Sequence, residues 1–283
     1  MEKETIIVSF SGGETSGMMC KYLLDEWSWA FNFIFIFANT GKETEETLIF
    51  ADKCDKEFGL NLIWVEAIIN PIKNKGVRHK IVNFRTANRD GKPFENLIAK
   101  EGIPNTSRPF CTSRLKTRPI RHWMKVNGFI KCCTAIGMRF DEPSRNNPDA
   151  ANAIEFNLIY PLSHWVEIDK QDVNTFWEDQ PFRLNQAAYM GNCVTCYKKT
   201  DYKLWRIAHE HPTEFAWCHD MEQRYKHVNA DEGDQHLFFR KKRTTATVVG
   251  QAMEVDYERL IYMTTSDRDK SAGCGEECQP FTN

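Results

Sequence analysis

The N-terminal part of the chain alternates short apolar runs with longer amphipathic runs, and this alternation restricts the possible folds more than any other feature. The apolar runs at residues 6–10, 33–37 and 60–66 predict three buried strands. Apolar residues at helical spacing predict two helices between them, over residues 15–27 and 43–58. This βαβαβ order predicts an α/β fold with a doubly wound parallel sheet, in which ligands bind at the carboxyl ends of the strands.

The pattern changes along the rest of the 283-residue chain. Residues 70–109 are polar and interrupted by Pro and Gly, which predicts a long loop or lid. We expect an α/β domain over residues 1–200 and a mostly helical, aromatic-rich extension with a cysteine-bearing tail over 201–283. The other predicted elements are a helix over 112–126, strands over 132–138 and 155–160, a helix over 169–177 and a β-like stretch over 244–250.

Composition excludes some classes of partner. Charged residues make up 27% of the chain and the formal net charge is −2, so the chain has no global bias toward nucleic acid or membranes. No apolar run reaches the roughly 18 residues that span a bilayer, and the N-terminus lacks the apolar region of a signal peptide. We therefore expect a cytoplasmic protein with no membrane partner. The 10 cysteines then favour metal or redox chemistry over disulfides.

A glycine turn follows the first predicted strand and precedes the first predicted helix. Gly12 and Gly13 allow positive φ angles and a close backbone approach, and the next helix begins with unpaired N–H groups. Ser11, Thr15 and Ser16 add hydroxyl donors. The turn is therefore suited to hold a phosphate group, although it lacks the lysine of a Walker A loop.

The turn Ser-Gly-Gly-Glu-Thr-Ser resembles the SGGxDS pyrophosphate loop of the PP-loop ATP pyrophosphatases and the related phosphoadenosine phosphosulfate (PAPS) reductase family. Thr15 stands where that family usually has Asp. Three further motifs agree in the same order: residues 37–47 resemble "NTG…ET", 137–145 resemble "GxRxDES…R", and 160–173 resemble "PL…W…DV". The resemblance covers roughly residues 5–200 and implies an adenine nucleotide alpha hydrolase-like fold in a phage-type member of the family.

The resemblance implies that ATP or a related adenine nucleotide lies across the strand ends, with its phosphates on the turn. Glu14 is a candidate to hold Mg²⁺ with the nucleotide, or is a solvated residue at a helix start. Arg139 and Arg145 could neutralise phosphate charge through bidentate contacts, or pair with Asp141 and Glu142. The candidate catalytic residues are Ser11, Arg139 and Arg145, and the candidate nucleotide-binding residues are Ser9, Ser11, Gly12, Gly13, Glu14, Thr15, Ser16, Phe37, Asn39, Thr40, Gly41, Gly137 and Arg139.

Cys193 and Cys196 form a CxxC pair whose late position in the chain suits a metal half-site better than a thioredoxin-like site. Cys111 begins a basic segment that resembles the family segment carrying the first cluster cysteines, where Phe110 replaces one member of a Cys-Cys pair. A fourth ligand must therefore come from elsewhere, and the tail is one source. The predicted metal ligands are Cys111, Cys193, Cys196 and Cys274, with Cys278 in reserve.

Four thiolates at such separations suit either a [4Fe–4S] cluster or a tetrahedral Zn²⁺. The family resemblance favours the cluster, whereas the spacing alone does not choose. The other cysteines are predicted to pack as small apolar residues or to play no assigned role. Those predicted to pack are Cys20, Cys54, Cys132, Cys133 and Cys218.

Three functions remain open. The leading one is ATP-dependent adenylation followed by sulfur transfer to a nucleobase or nucleic-acid acceptor, with sulfur from the cluster or a donor protein. Basic side chains over residues 108–125 could receive such an anionic acceptor. The second is reduction of a sulfonucleotide (PAPS or APS), although the tail lacks the Glu and His expected around its Cys-Gly step. The third is a non-catalytic nucleotide or cluster sensor, which Thr15 in place of Asp keeps open; a homo-oligomer is compatible with each.

Overall fold

The computed structural model describes residues 3–72, 74–191, 193–265 and 280–281. Six strands of the described chain form one sheet, in the order β4-β3-β2-β1-β5-β6. Every neighbouring pair is parallel except β3 and β4, which are antiparallel. The predicted α/β fold is therefore confirmed. The strands are β1 (Glu4–Phe10), β2 (Phe31–Asn39), β3 (Ile63–Ile69), β4 (Val77–Val82), β5 (Cys133–Ile136) and β6 (Leu158–Ile159).

Helices cover both faces of the sheet, and more helices follow in the C-terminal part. A π-helical turn, Ser113–Thr117, leads directly into the fourth α-helix. The α-helices of the described residues are α1 (Glu14–Trp27), α2 (Glu45–Phe58), α3 (Lys92–Glu101), α4 (Arg118–Val126), α5 (Ala151–Phe156), α6 (Pro161–His164), α7 (Lys170–Glu178), α8 (Asp201–Glu210), α9 (Phe215–Tyr225), α10 (Thr245–Met253) and α11 (Tyr257–Thr265). None of these helices is long and apolar enough to cross a membrane.

Alternate residues of the central strands pack on opposite faces of the sheet, as the period of a strand requires. Val8 and Phe10 of β1 belong to the apolar cluster that includes α1, α2 and α7. Ile7, between them, belongs to the cluster that includes α4. Both faces of β1 are buried, which explains why the strand reads as a continuous apolar run rather than an alternating one.

A third apolar cluster joins the C-terminal helices to the α/β part. Ala67 of β3 and Leu97 of α3 share this cluster with Leu204 of α8, Phe215 of α9 and Val248 of α10. Residues 201–265 therefore bury their apolar faces against residues of the first 200. The predicted boundary at residue 200 stays a prediction.

Three predictions of local structure differ from the structure. The predicted strand over residues 155–160 is shorter, because residues 155 and 156 belong to α5 and only Leu158–Ile159 form β6. The other two predictions were wrong. Residues 70–109 are not one long loop, because they include β4 and α3. β4 is an exposed edge strand with few buried residues, so its apolar periodicity is weak. Residues 244–250 are not β-like but lie at the start of α10, where Thr244 accepts a hydrogen bond from the N–H of Thr247 at 3.1 Å. This N-cap outweighs the β propensity of the Thr and Val residues that follow.

Two histidines join the edge strand β4 to α4. The Nδ1 atoms of His79 and His122 lie 2.7 Å apart. Burial, and then repulsion from His122, lowers the pKa of His79. The folded protein thus binds fewer protons here than the unfolded chain, so the contribution to stability is present above about pH 6.5 and is lost as the pH falls from there through the folded pKa.

Replacing His79 by asparagine is therefore expected to make the protein less sensitive to mild acid. Urea unfolding should show a smaller loss of stability between about pH 7.5 and pH 5.5 in His79→Asn than in the wild type, since the titration of His79 is removed. His227→Asn, at an exposed position away from β4, is the control and should follow the wild type. An identical pH dependence in all three proteins would contradict the assignment.

Candidate functional site

The turn between β1 and α1 has a backbone shape that requires glycine. Gly12 has a φ of +83°, and a Cβ there would lie 2.7 Å from Cγ2 of Thr47 and 3.1 Å from Cε2 of Phe37. Both the φ angle and the space therefore exclude a side chain. The turn closes on itself, because the N–H of Ser11 donates to Oγ of Ser16 at 3.2 Å and the two hydroxyl oxygens lie 2.9 Å apart. The predicted tight turn at the start of a helix is confirmed, but Gly13 has a φ of −109° and does not take the positive φ expected of it.

A cleft of about 570 Å³ opens over this turn. One wall is the turn itself, from Ser11 to the first residues of α1. The second wall follows β5 and carries Gly137, Arg139 and Arg145, and the third wall belongs to residues 183–191. The cleft lies at the carboxyl ends of β1 and β5, where an open parallel sheet binds its ligands. We call it the turn cleft.

The two arginines predicted for phosphate both line the turn cleft and both also form ion pairs. Arg139 is 2% exposed, and its Nε lies 2.7 Å from Asp141. Arg145 pairs closely with Glu142, yet its Nε and Nη2 are buried with no hydrogen-bond partner among the described residues. Unpaired buried N–H groups are costly, so these two atoms are ready donors for an anionic ligand.

Two further cations of the turn cleft were missed by the sequence analysis. Lys170 begins α7, and Arg183 lies in the loop after that helix. The guanidinium of Arg183 lies 3.1 Å from the carboxylate of Glu14, so Glu14 is paired rather than solvated. Lys170 lies within the stretch 160–173 but is not one of its matched residues, Arg183 lies outside every motif, and their distance in sequence from the turn hides both. The charged lining of the cleft is cationic on balance: Arg139, Arg145, Lys170 and Arg183 against Glu14 and Glu142.

Six of the predicted nucleotide-binding residues are not among those that line the turn cleft. Asn39 is fully buried and donates to Oε1 of Glu66 at 2.7 Å and to the carbonyl of Asn88 at 2.9 Å. Phe37 is a core residue whose ring packs against Trp64 at 4.7 Å between centroids. Asn39 and Phe37 support the glycine turn and the C-terminal end of β2. Contact of any of the six residues with a nucleotide stays a prediction. The six are Ser9, Gly12, Phe37, Asn39, Thr40 and Gly41.

The structure brings three predicted metal ligands to one small cavity. Cys111, Cys193 and Cys196 line a cavity of about 30 Å³, and Cys218 of α9 lines it with them. We call it the cysteine cavity. Cys274 and Cys278 lie outside the described residues. Within the described ranges no group of three or more His, Cys, Asp or Glu residues is drawn together as a metal site, so the donor types suit a metal but the sulfurs do not yet surround one.

Hydroxyl groups accompany three of these sulfurs. The Sγ of Cys111 lies 3.3 Å from the hydroxyl of Tyr197, and that of Cys218 lies 3.1 Å from Oγ1 of Thr195. The Sγ of Cys193 lies 3.8 Å from Oγ1 of Thr40. Burial, the main cause, raises the pKa of Cys218 to about 12, so a metal that binds this sulfur must displace its proton.

The turn cleft and the cysteine cavity are neighbours. Gly191 lines the cleft and comes two residues before Cys193. Thr40, at the end of β2, donates its hydroxyl to Glu43 at 2.8 Å while contacting Cys193. Glu43 in turn pairs with the buried Lys116 at 3.4 Å. A chain of polar contacts thus joins the strand end beside the cleft to the cysteines.

A second large cavity, of about 470 Å³, lies beside the turn cleft. Asn185, Gln186 and Ala187 line both spaces, so this loop separates them. Val194 of the CxxC segment also lines the second cavity. We call it the side cavity, and it lies next to both the cleft and the cysteines.

A family model described as the phosphoadenosine phosphosulfate reductase domain matches residues 5–191. The chain belongs to this family. PAPS reductase-family membership confirms the resemblance carried by the four motifs, and it supports a PP-loop nucleotide-binding enzyme.

Two curated relatives of this PAPS reductase-family chain are similar over different lengths. The uncharacterized nin region protein ORF290 of Escherichia phage lambda is 26% identical over 97% of this chain and 94% of its own length. The uncharacterized protein MJ0973 of Methanocaldococcus jannaschii is 27% identical over 58% of this chain and 34% of its own length. The phage protein extends through the C-terminal helices, which agrees with the prediction of a phage-type member.

Proposed function

We propose that this PAPS reductase-family protein binds ATP in the turn cleft and uses it to adenylate an acceptor for sulfur transfer. An oxygen of the acceptor attacks the α-phosphorus, the bond to the β-phosphate oxygen breaks, and pyrophosphate leaves. A sulfur nucleophile then attacks the adenylated carbon, and AMP leaves with the oxygen. The observation that carries the proposal is the cationic cleft over the glycine turn, set beside a cavity lined by cysteines.

The cleft can stabilise charge on a leaving pyrophosphate without reorganising. Arg139 is held by Asp141 and Glu142, so its position is fixed before a ligand binds. Arg145 adds unpaired N–H donors, and the turn adds the N-terminus of α1. Preorganised donors of this kind make the main protein contribution to phosphoryl-type transfer. Mg²⁺, if Glu14 turns from Arg183 to hold it, would further balance the phosphate charge.

The side cavity offers a place for the acceptor. Its volume lies within the range of about 300–1,000 Å³ that is common for small-molecule sites. It opens beside the cleft through the shared loop at Gln186, and Val194 connects it to the CxxC segment. Its charged lining is acidic on balance, with Glu43, Glu45, Glu46 and Glu214 against Lys42 and Arg89, so it suits a neutral acceptor such as a nucleobase better than a phosphate-bearing one. An acceptor bound there would lie beside both the ATP and the CxxC segment.

Reduction of a sulfonucleotide is the second candidate, because the matching family model carries that activity in its description. The same cleft would then hold the nucleotide of PAPS or APS. A cysteine thiolate would attack the sulfur, the bond from sulfur to the phosphate oxygen would break, and PAP or AMP would leave an S-sulfocysteine behind. A second thiol would then attack the cysteine sulfur and release sulfite as a disulfide forms, so a dithiol reductant must complete the cycle.

The two reactions have different products, which separates them in one experiment. We expect the anaerobically purified protein to release pyrophosphate from ATP when supplied with cellular RNA or free nucleobases, and to release no sulfite from PAPS or APS with a dithiol reductant. Sulfite without pyrophosphate would reverse the order of the two candidates. Binding of nucleotide without either product would favour the sensor.

Replacing Arg145 by lysine is expected to weaken ATP binding about tenfold, since the loss of one hydrogen bond to a charged group costs about 1.5 kcal/mol or more. Lysine keeps the positive charge beside Glu142 but lacks the planar fork that meets two phosphate oxygens. Isothermal titration with ATP measures the effect. Arg78→Lys, on the exposed edge strand, is the matched control, and equal affinities in the two variants would exclude phosphate contact at Arg145.

A further inference from the structure

We infer that Cys218 is the fourth thiolate ligand of a metal centre completed by Cys111, Cys193 and Cys196. The inference deepens the proposed function, since it rests on the cysteine cavity which that function places beside the nucleotide. Phe110 occupies the position where the resemblance predicts a second cysteine next to Cys111. The donor set therefore needs one more sulfur, and α9 brings one to the cysteine cavity.

The buried face of α9 directs Cys218 toward the cavity. Phe215, Cys218, Met221 and Glu222 are the buried residues of this helix, at the spacing of one helical face. Cys218 is 2% exposed. Packing of α9 in the apolar cluster that also contains Cys111 and Val194 thus fixes the position of this sulfur relative to both of the other cysteine-bearing segments.

A side-chain contact ties Cys218 to the CxxC pair itself. Its Sγ lies 3.1 Å from Oγ1 of Thr195, which stands between Cys193 and Cys196 in sequence. The CxxC loop and α9 are therefore in direct contact through the sulfur of Cys218.

The surroundings of the cavity suit thiolates. Lys42 lines it and offsets negative charge, while Phe94, Trp217 and Phe238 form an apolar wall that excludes water. The hydroxyls of Tyr197 and Thr195 are placed to donate to sulfurs, as the outer-shell partners of metal ligands do. An all-sulfur set with such a shell selects an iron–sulfur cluster or Zn²⁺ over hard cations.

Other described cysteines do not compete for this role. Cys20 and Cys54 are buried in the apolar cluster that includes α1 and α2, whereas Cys111 and Cys218 belong to a different cluster. Cys132 and Cys133 are only partly buried and lie near the start of β5. A thiol from any of them would have to leave its own element to reach the CxxC pair.

The test is the metal content of full-length variants purified anaerobically. Iron, acid-labile sulfide and zinc are measured together with the visible spectrum in Cys218→Ser, Cys218→Ala, Cys54→Ser and Cys274→Ser. We expect both Cys218 variants to lose most of their metal, whereas Cys54→Ser and Cys274→Ser keep the wild-type content and spectrum. Circular dichroism and urea unfolding show whether each variant is folded. Two replacements are used at Cys218 because serine keeps a polar atom at this buried position and alanine does not.

The outcomes separate the ligand assignment from the proposed reaction. Loss of iron with sulfide, or of zinc, supports Cys218 as a ligand whichever of the two metals the wild type holds. Wild-type metal content in folded Cys218 variants overturns the inference, as does a wild-type protein that binds no metal or a loss confined to Cys274→Ser. ATP titration of the same proteins reports on the turn cleft independently, because Cys218 does not line it.

Discussion

Gly137→Ala is expected to weaken ATP binding about 100-fold, because it pushes the glycine turn away from β5. A Cβ at Gly137 would lie 2.9 Å from Cα and 3.2 Å from Cβ of Ser16, in the first turn of α1. The close neighbours include backbone atoms, so no flexible side chain can move aside. The start of α1 must shift, and the loss of two hydrogen bonds to phosphate costs about 3 kcal/mol or more. Isothermal titration with ATP measures the change.

The matched control for this variant is Gly250→Ala. No atom lies within 4 Å of a Cβ built on Gly250, which is in α10. Alanine there should leave ATP binding unchanged and raise stability by about 0.5–1 kcal/mol through helix propensity. Wild-type ATP affinity in a folded Gly137→Ala variant would show that the close contact between the end of β5 and the glycine turn is not needed for phosphate binding.

The second large effect is expected at Glu66, and it concerns stability. Glu66 is fully buried in β3, where Oε1 accepts hydrogen bonds from the side chain of Asn39 at 2.7 Å and from the N–H of Asn88 at 2.5 Å. Its other oxygen lies 2.8 Å from Nζ of Lys80. Glu66→Ala leaves buried donors without an acceptor, so we expect the free energy of unfolding in urea to fall by about 3–5 kcal/mol.

Lys80→Met tests whether this effect comes from the hydrogen bonds or from the ion pair. The Lys80 side chain is 47% exposed, so its removal should cost at most about 1 kcal/mol. Glu66→Gln keeps one acceptor oxygen and should fall between the other two variants. Equal losses in Glu66→Ala and Lys80→Met would show that the ion pair, and not the support of Asn39, stabilises the β2 end.

The central strands could be predicted from the sequence because burial on both faces leaves an uninterrupted apolar run. β1 and β2 are of this kind, and their helices begin and end near the predicted residues. β4 could not be predicted, since an exposed edge strand needs little apolar surface and pairs through its backbone. In α10 the local preference for β structure was overruled by the cap at Thr244 and by packing in the shared cluster.

The parts of the site that lie in one motif were also accessible to sequence analysis, and the parts assembled by tertiary packing were not. The glycine turn and the CxxC pair each lie within a few consecutive residues, so both can be recognised in the sequence. Arg183 meets Glu14 only because the loop after α7 returns to the start of α1. Cys218 has no cysteine at a metal-ligand spacing, so its sequence context favoured a packing role, and only the fold places it at the cysteine cavity.

Lys199 holds the loop that connects the turn cleft to the CxxC pair. Its ammonium group donates to the carbonyls of Tyr189 at 2.8 Å and Gly191 at 2.5 Å, in the loop that forms one wall of the turn cleft. The same loop runs directly into the CxxC pair. Removing this ammonium group would therefore loosen one wall of the cleft and the entry to the CxxC segment together, so both places depend on a single buried side chain.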